Sequence, residues 1–339
     1  MSDLIKELET RVTRTYRGGA LLDLFLGREN GADSFYPEDW ITSFVEAKNK
    51  DYIPNEGITR VEGGKLITEA VAPESFGPGR TETGVLVKLL DSSERLGIQV
   101  HPTDAFSRKY FGTDYGKTES WHVLATRTID GVEPRVYLGF KPYVTRELWA
   151  DYYRRQDVDA MLAGMYDIPV RAGDTILVCG GMPHAIGAGC LLLEIQQPSD
   201  YTMRCETVPL SGIPYTPMQI HYGAGEEAML DCFDYTPMTR EEMEERFILR
   251  PRITRADTYV RTDYITYEHT DCFALRGYEG SFRLREESFV TLVSLENRGT
   301  LECEDKVRAL KRGDKYFVPA DTAVSCTDGS VLVCCPPRI

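Results

Sequence analysis

Gln99 and His101 stand two residues apart in the stretch Leu96 to Trp121, so on a strand both side chains leave the same face. Pro102 follows at once; it lacks a backbone donor and disfavours continuation of a ladder. Lys117 and Glu119 come next, ahead of the apolar run Trp121-His-Val-Leu-Ala125. An amide oxygen, an imidazole nitrogen and a carboxylate suit a divalent metal of borderline hardness, such as zinc, iron, manganese, cobalt or nickel. His184, which follows Pro183 at a predicted strand start, offers a fourth ligand.

These residues need strands to aim them. Short apolar runs separated by Gly/Pro turns predict an all-β barrel or sandwich. Residues 84–91 and 96–101 read as an antiparallel pair around Ser92 to Arg95, Thr103 caps a short helix, and residues 119–126 and 134–140 read as strands. A helix over 145–163 breaks near Gln156-Asp157. The stretch 170–197 reads as turn, strand, Gly-Gly-Met-Pro turn, His184 and strand. At the N-terminus, residues 2–14 predict an amphipathic helix, with Ser2 as cap and Leu4, Ile5, Leu8 and Val12 on one face. Gly, Pro and Asn punctuate the next seventy residues and predict loops and short elements.

Beyond Pro209 come a loop-like segment, an acidic helix over 239–249 and a second all-β region from Pro251. That region echoes the first: Lys311-Arg-Gly-Asp-Lys-Tyr-Phe-Val318 repeats Arg171-Ala-Gly-Asp-Thr-Ile-Leu-Val178. The position equivalent to His184 is Val324, so the second copy lacks a metal ligand there. The expected architecture is mainly β: two cupin-like β-barrel (jelly-roll) domains with a few added helices. Residues 1–80 form an N-terminal segment on the first barrel, 81–210 the metal-binding domain, 211–250 a connection, and 251–339 a second domain without metal ligands.

Composition narrows the function. The 339 residues carry 53 Asp and Glu against 39 Lys and Arg, a net charge of −14 with no basic run, which argues against a nucleic-acid partner. A phosphorylated small molecule stays open, because a local Arg/Lys pocket can read it. Nine irregularly spaced cysteines predict buried, reduced thiols in a cytoplasmic protein. No segment has the layout of a signal peptide, and no apolar stretch nears the ~20 residues that span a bilayer, so no membrane association is expected.

The Gln-x-His-Pro of 99–102, the Lys-x-Glu of 117–119, the Gly-Asp-(x)6-Gly-Met-Pro-His-Ala-Ile-Gly of 173–187 and the Ser199-Asp-x-Thr-x-Arg204 segment together resemble the type I mannose-6-phosphate isomerases, which are zinc-dependent cupins. The resemblance is specific over residues 84–204, and the C-terminal echo is similar to the second cupin of the small bacterial members. It implies one Zn2+ per chain held by Gln99, His101, Glu119 and His184, an active-site arginine at Arg204 and a pocket lysine at Lys117. The implied reaction interconverts mannose 6-phosphate and fructose 6-phosphate by proton transfer through an enediolate. Lys117, Glu119, a metal-bound water and Asp200 are all candidate bases. Two other readings stand beside it: a cupin enzyme acting otherwise, on a different sugar or as an oxygenase, and a non-catalytic sugar-binding cupin that keeps the metal. The chain departs from the family at Tyr16-Arg-Gly-Gly19, at Glu38-Asp-Trp-Ile-Thr-Ser43 and at Cys205-Glu-Thr207. His122 reads as a core or rim histidine, and His221 and His269 as surface or packing residues. Oligomeric state is left open.

Overall fold

The computed structural model describes residues 3–338 and is built from three antiparallel sheets. A seven-stranded sheet runs in the order Ile248–Leu249, Thr175–Val178, Glu119–Thr126, Cys190–Gln196, Leu86–Ser92, Glu38–Ile41, Arg11–Val12. Leu86–Ser92 and Cys190–Gln196 are buried along their whole length, as expected of central strands covered on both faces. A five-stranded sheet runs Met203–Arg204, Gln99–Val100, His184–Ile186, Arg135–Phe140, Met165–Pro169. The two share one apolar core, to which the first sheet gives Val87, Leu89, Trp121 and Leu193, and the second Val136, Leu138, Ile168 and Ile186. Trp149, Phe233 and neighbouring residues from the helical segments cover the far side of the five-stranded sheet around Ile98, Val100 and Phe140.

The third sheet holds nine strands, with Ile5–Glu7, Lys315–Val318, Val290–Ser294, Val324–Cys335, Ala274–Leu284, Tyr259–Ile265 and Arg252–Arg255 in spatial order. The hairpin Thr300–Cys303/Lys306–Ala309 joins at Val324–Cys335. The mainly-β class is as expected; the strands form three separate sheets, and the core between the first two also takes in Leu275, Phe317 and Leu332 of the third. The sequence echo is a structural one. Asp174 and Asp314 each accept from the backbone N–H three residues earlier, at 2.9 Å, and Gly173 and Gly313 both take positive φ (95° and 84°). Val324 is buried in the second copy's apolar interior.

Two local expectations fail. Residues 2–14 do not form a helix: Ser2 lies outside the described residues, Ile5–Glu7 pairs with Lys315–Val318, and Arg11–Val12 pairs with Glu38–Ile41. The helical spacing of Leu4 and Val12 instead divides them between two cores, the C-terminal one and the cluster around Trp40 and Leu86, and Leu8 is exposed. Pairing across two sheets outweighs a weak periodicity. Residues 84–91 and 96–101 do not pair as a hairpin either. Leu86–Ser92 lies between Cys190–Gln196 and Glu38–Ile41, whereas Gln99–Val100 lies between His184–Ile186 and Met203–Arg204. The intervening residues carry the chain from one sheet of the sandwich to the other. The helices expected after Thr103, over 145–163 and over 239–249 form, and the segment read as loop-like beyond Pro209 holds a further helix, Pro217–His221, capped by Thr216. Thr103 accepts from Phe106 N at the start of Asp104–Phe111, and the 145–163 helix breaks at Gln156 (φ 52°), with Asp157 capping Val158–Ala163.

Candidate metal centre and its charged cavity

The strand crossing delivers the ligand candidates to one point. His184 pairs directly with Gln99 across the five-stranded sheet, and Glu119 begins a strand of the facing sheet. His101, Glu119 and His184 are fully buried, and their nearest donor atoms all lie within 4.8 Å of one another. His101 Nε2 is 3.1 Å from Glu119 Oε2, His184 Nε2 is 3.6 Å from Glu119 Oε1, and the Gln99 amide is 3.1 Å from His184 Nε2.

Each imidazole is oriented from behind. His101 Nδ1 donates to Tyr201 O at 3.0 Å and His184 Nδ1 to Met182 O at 2.9 Å, leaving both Nε2 lone pairs turned toward the carboxylate. Burial, reinforced by Lys117, pushes His101 down to about 3, and burial lowers His184. Both rings are therefore neutral at pH 7, the form in which an imidazole binds a metal. Burial alone would raise Glu119, but Lys117 and His101 hold it well below the carboxylate range, so it stays charged. Neutral imidazoles, an ionised carboxylate and an amide in a water-excluding setting fit a borderline divalent cation. The Lys117 ammonium lies 2.7 Å from His101 Nε2 and 2.6 Å from Glu119 Oε2.

A small cavity of about 70 Å3 adjoins this cluster and is lined by Gln99 and Lys117. Its inner wall holds charged groups that the sequence reading did not single out. Lys88 Nζ lies 3.4 Å from Glu194 Oε1, 3.8 Å from Glu38 Oε2 and 4.7 Å over the Trp40 ring. Glu194 also lies 3.9 Å from Lys117 Nζ, and its Oε1 accepts no hydrogen bond among the described residues. Burial, with the nearby Glu119 charge, raises the Glu194 carboxyl against the pull of Lys88 and Lys117. Arg14 grips Asp200 with two bonds of 3.0 and 3.1 Å and reaches Glu38 Oε2 at 3.0 Å. Asp200 is thus held ionised below its ordinary range: burial opposes this, and Arg14 and Lys88 prevail. A carboxylate so tied, and also accepting Lys48 N at 2.8 Å, is a poor proton acceptor. Lys117 is raised rather than lowered, because Glu119 and Glu194 outweigh its burial, so it enters as an ammonium and not as a base.

Arg204 also lines the cavity, but its guanidinium is anchored. Nη1 donates to Gln219 O and, at 3.2 Å, to Thr202 O, and the group lies 4.9 Å over the Tyr215 ring. It forms no ion pair with Asp200, whose partner is Arg14. At the mouth, Arg95 and Glu206 make a two-bond pair of 2.5 and 3.0 Å. His122 stays outside the site, buried with Nδ1 2.9 Å from Thr175 Oγ1 and packed on Tyr264. His221 and His269 each accept a backbone N–H in a turn. The missed residues did leave a signal. Lys88 in Val85-Leu-Val-Lys-Leu-Leu90 and Glu194 in Leu191-Leu-Leu-Glu-Ile195 are lone charges in runs otherwise wholly apolar, which a buried strand tolerates only if the charges are paired.

No family model matches the chain. Among curated proteins it is 28% identical over 241 residues to YvyI of Bacillus subtilis (strain 168), provisionally described as a mannose-6-phosphate isomerase, covering 70% of this chain and 69% of that one. It is 37% identical over 132 residues to the mannose-6-phosphate isomerase of Streptococcus mutans serotype c, spanning 39% of each chain. The fold matches that of the Bacillus subtilis mannose 6-phosphate isomerase with a TM-score of 0.76, at 20% identity over 98% of this chain and 99% of that one. It also matches a mannose 6-phosphate isomerase bound with zinc and yttrium, with a TM-score of 0.72, at 14% identity over 99% and 100% of the two chains. The likeness to mannose-6-phosphate isomerases is therefore one of sequence and of fold, as the motifs between residues 99 and 204 suggest.

Proposed function

We propose that the protein is a metal-dependent aldose–ketose isomerase that interconverts mannose 6-phosphate and fructose 6-phosphate. The observation that carries this reading is the buried His101–Glu119–His184 cluster beside a cavity lined by Gln99, Lys88, Lys117 and Glu194. Gln99, His101, Glu119 and His184 would hold the ion, with zinc favoured by two imidazoles and a carboxylate. Bound there, it would supply Lewis-acid polarisation of the sugar's oxygens.

The chain's own groups do the rest. Glu194, with a free oxygen and a raised carboxyl, takes the C2 proton and returns it to C1. Lys117 and Lys88, on either side of Glu194, hold the negative charge that develops on the oxygens. Arg204, anchored by backbone carbonyls, presents its fork to the phosphate-bearing end. Trp40, Tyr16 and Arg14 fix Glu38 and Asp200, and so keep Lys88 in place. The repeated turn supports reading residues 81–210 as the metal-binding domain and 251–339 as a second domain of the same class. All nine cysteines are free, which suits a reducing, cytoplasmic setting, and among the described residues no helix is long and apolar enough to cross a membrane.

The test is to run the isomerisation of mannose 6-phosphate in D2O with the metal-loaded protein. Fructose 6-phosphate carrying deuterium at C1 in at least part of the product is expected from a carboxylate that exchanges with solvent. Deuterium at C1 would establish proton transfer through a base, and absence of ketose would refute the reading.

A further inference from the structure

A second cleft, of about 570 Å3, lies on the nine-stranded sheet and shares no lining residue with the metal cavity. In a chain of net charge −14 it is lined by four arginines, Arg80, Arg276, Arg285 and Arg338, against two glutamates. Arg276 is matched, with Nη1 2.6 Å from Glu286 Oε1. Arg80 is not. It is half-buried, its Nε donates to Ser288 Oγ at 3.0 Å and its Nη2 to Pro337 O, and among the described residues it meets no carboxylate. A guanidinium has five N–H groups, so most of its fork remains for a ligand. Burial lowers its affinity for its proton, the mark of a cation without a counter-charge. Arg338 stacks 4.4 Å over the Tyr267 ring and likewise meets no carboxylate among the described residues.

The walls are built before any ligand arrives. Phe289 N donates to Phe76 O and Ala320 N to Ser75 O, clamping residues 73–80 against the sheet. At Gly77 (φ 105°) a Cβ would come within 2.5 Å of Glu287 O, so only glycine allows that approach. Pro78, Pro336 and Pro337 and the Tyr267 ring supply rigid apolar surface beside the guanidinium groups.

We propose that this cleft is a second ligand site, which binds a small organic phosphate through Arg80 and Arg338. Arginine forks pair two-to-two with phosphate oxygens, and the cleft's size is that of a small-molecule site. Sugar phosphates and nucleotides share this chemistry. The assignment does not rest on the proposed isomerase activity.

The test is calorimetric titration of the metal-loaded protein with inorganic phosphate, glucose 6-phosphate and AMP. Wild type is compared with Arg80→Gln and with Arg338→Gln, which alters an exposed side chain and tests the site even if Arg80→Gln does not fold. One of the two esters should bind more tightly than inorganic phosphate, and which one distinguishes the sources. Each substitution should weaken its binding by roughly tenfold or more, the scale of one charge-assisted pair. Turnover of mannose 6-phosphate should be unchanged. Titrations that superimpose in all three proteins would overturn the site, and inorganic phosphate binding as tightly as either ester would overturn the organic ligand.

Discussion

Replacing Glu7 by glutamine should make the protein relatively more stable at pH 8 than at pH 5. Glu7 ends the strand that joins the N-terminal segment to the nine-stranded sheet, and it is buried. Its oxygens accept from Thr42 N at 2.7 Å and Thr42 Oγ1 at 2.6 Å, bonds that hold Thr42 at φ 48°, a conformation a β-branched residue rarely adopts. Lys315 is close, but it pairs with Asp39. Burial accordingly raises the Glu7 carboxyl from 4.5 to about 7, against the pull of Thr42 and Lys315. The native state then binds a proton that the unfolded state releases between those values. Stability is lost as pH rises from 4.5 through 7, and the penalty is complete above 7. At 1.36 kcal/mol per pH unit the penalty is about 3 kcal/mol. Glutamine resembles the protonated acid, and a small part of the penalty is already present at pH 5, so denaturant unfolding should show the variant gaining about 2.5 kcal/mol on wild type between pH 5 and pH 8. Comparing the two proteins cancels the other carboxylates. An equal difference at both pH values, or a variant that falls behind at pH 8, would refute the reasoning.

Glu194→Gln should lower kcat by about 100-fold or more while metal content and KM hold, since a positioned general base contributes about 10²–10⁴; a loss below about threefold would move the base elsewhere. Arg14→Met should cost about 3–5 kcal/mol by stranding Asp200 and Glu38. Adding Asp200→Asn should restore part of this in unfolding experiments, and strict additivity of the two changes would contradict the network. Zinc at about 100 times its Kd should raise stability by about 2.7 kcal/mol, read as a shift in unfolding midpoint that His184→Ala abolishes. An unchanged shift in that variant would place the ion at other residues.

The convergence of Gln99, His101, Glu119 and His184 was legible because their residue types and their i, i+2 and Pro-flanked spacing are local, and the Gln99–His184 pairing brings together what that spacing pointed to. The charged cavity was far less so. Arg14, Glu38, Lys88 and Glu194 come from separate strands and loops, and only the sheet order makes them neighbours. Lys88 and Glu194 face one another because Leu86–Ser92 and Cys190–Gln196 pair in register, Lys88 opposite Glu194. The N-terminal strands were misread as helix because Leu4, Ile5, Leu8 and Val12 satisfy a helical period by chance of spacing. Their partners lie some 30 to 310 residues away, at Glu38 and Phe317. Arg204 was expected as an active-site arginine; the carbonyls of Thr202 and Gln219 that anchor it carry no sequence mark.

The most direct measurement is turnover of mannose 6-phosphate to fructose 6-phosphate by the purified protein, with zinc, after chelation, and after zinc is restored. The account predicts activity that chelation removes and zinc returns. Full turnover in the chelated protein, or none in the zinc-loaded one, would contradict it.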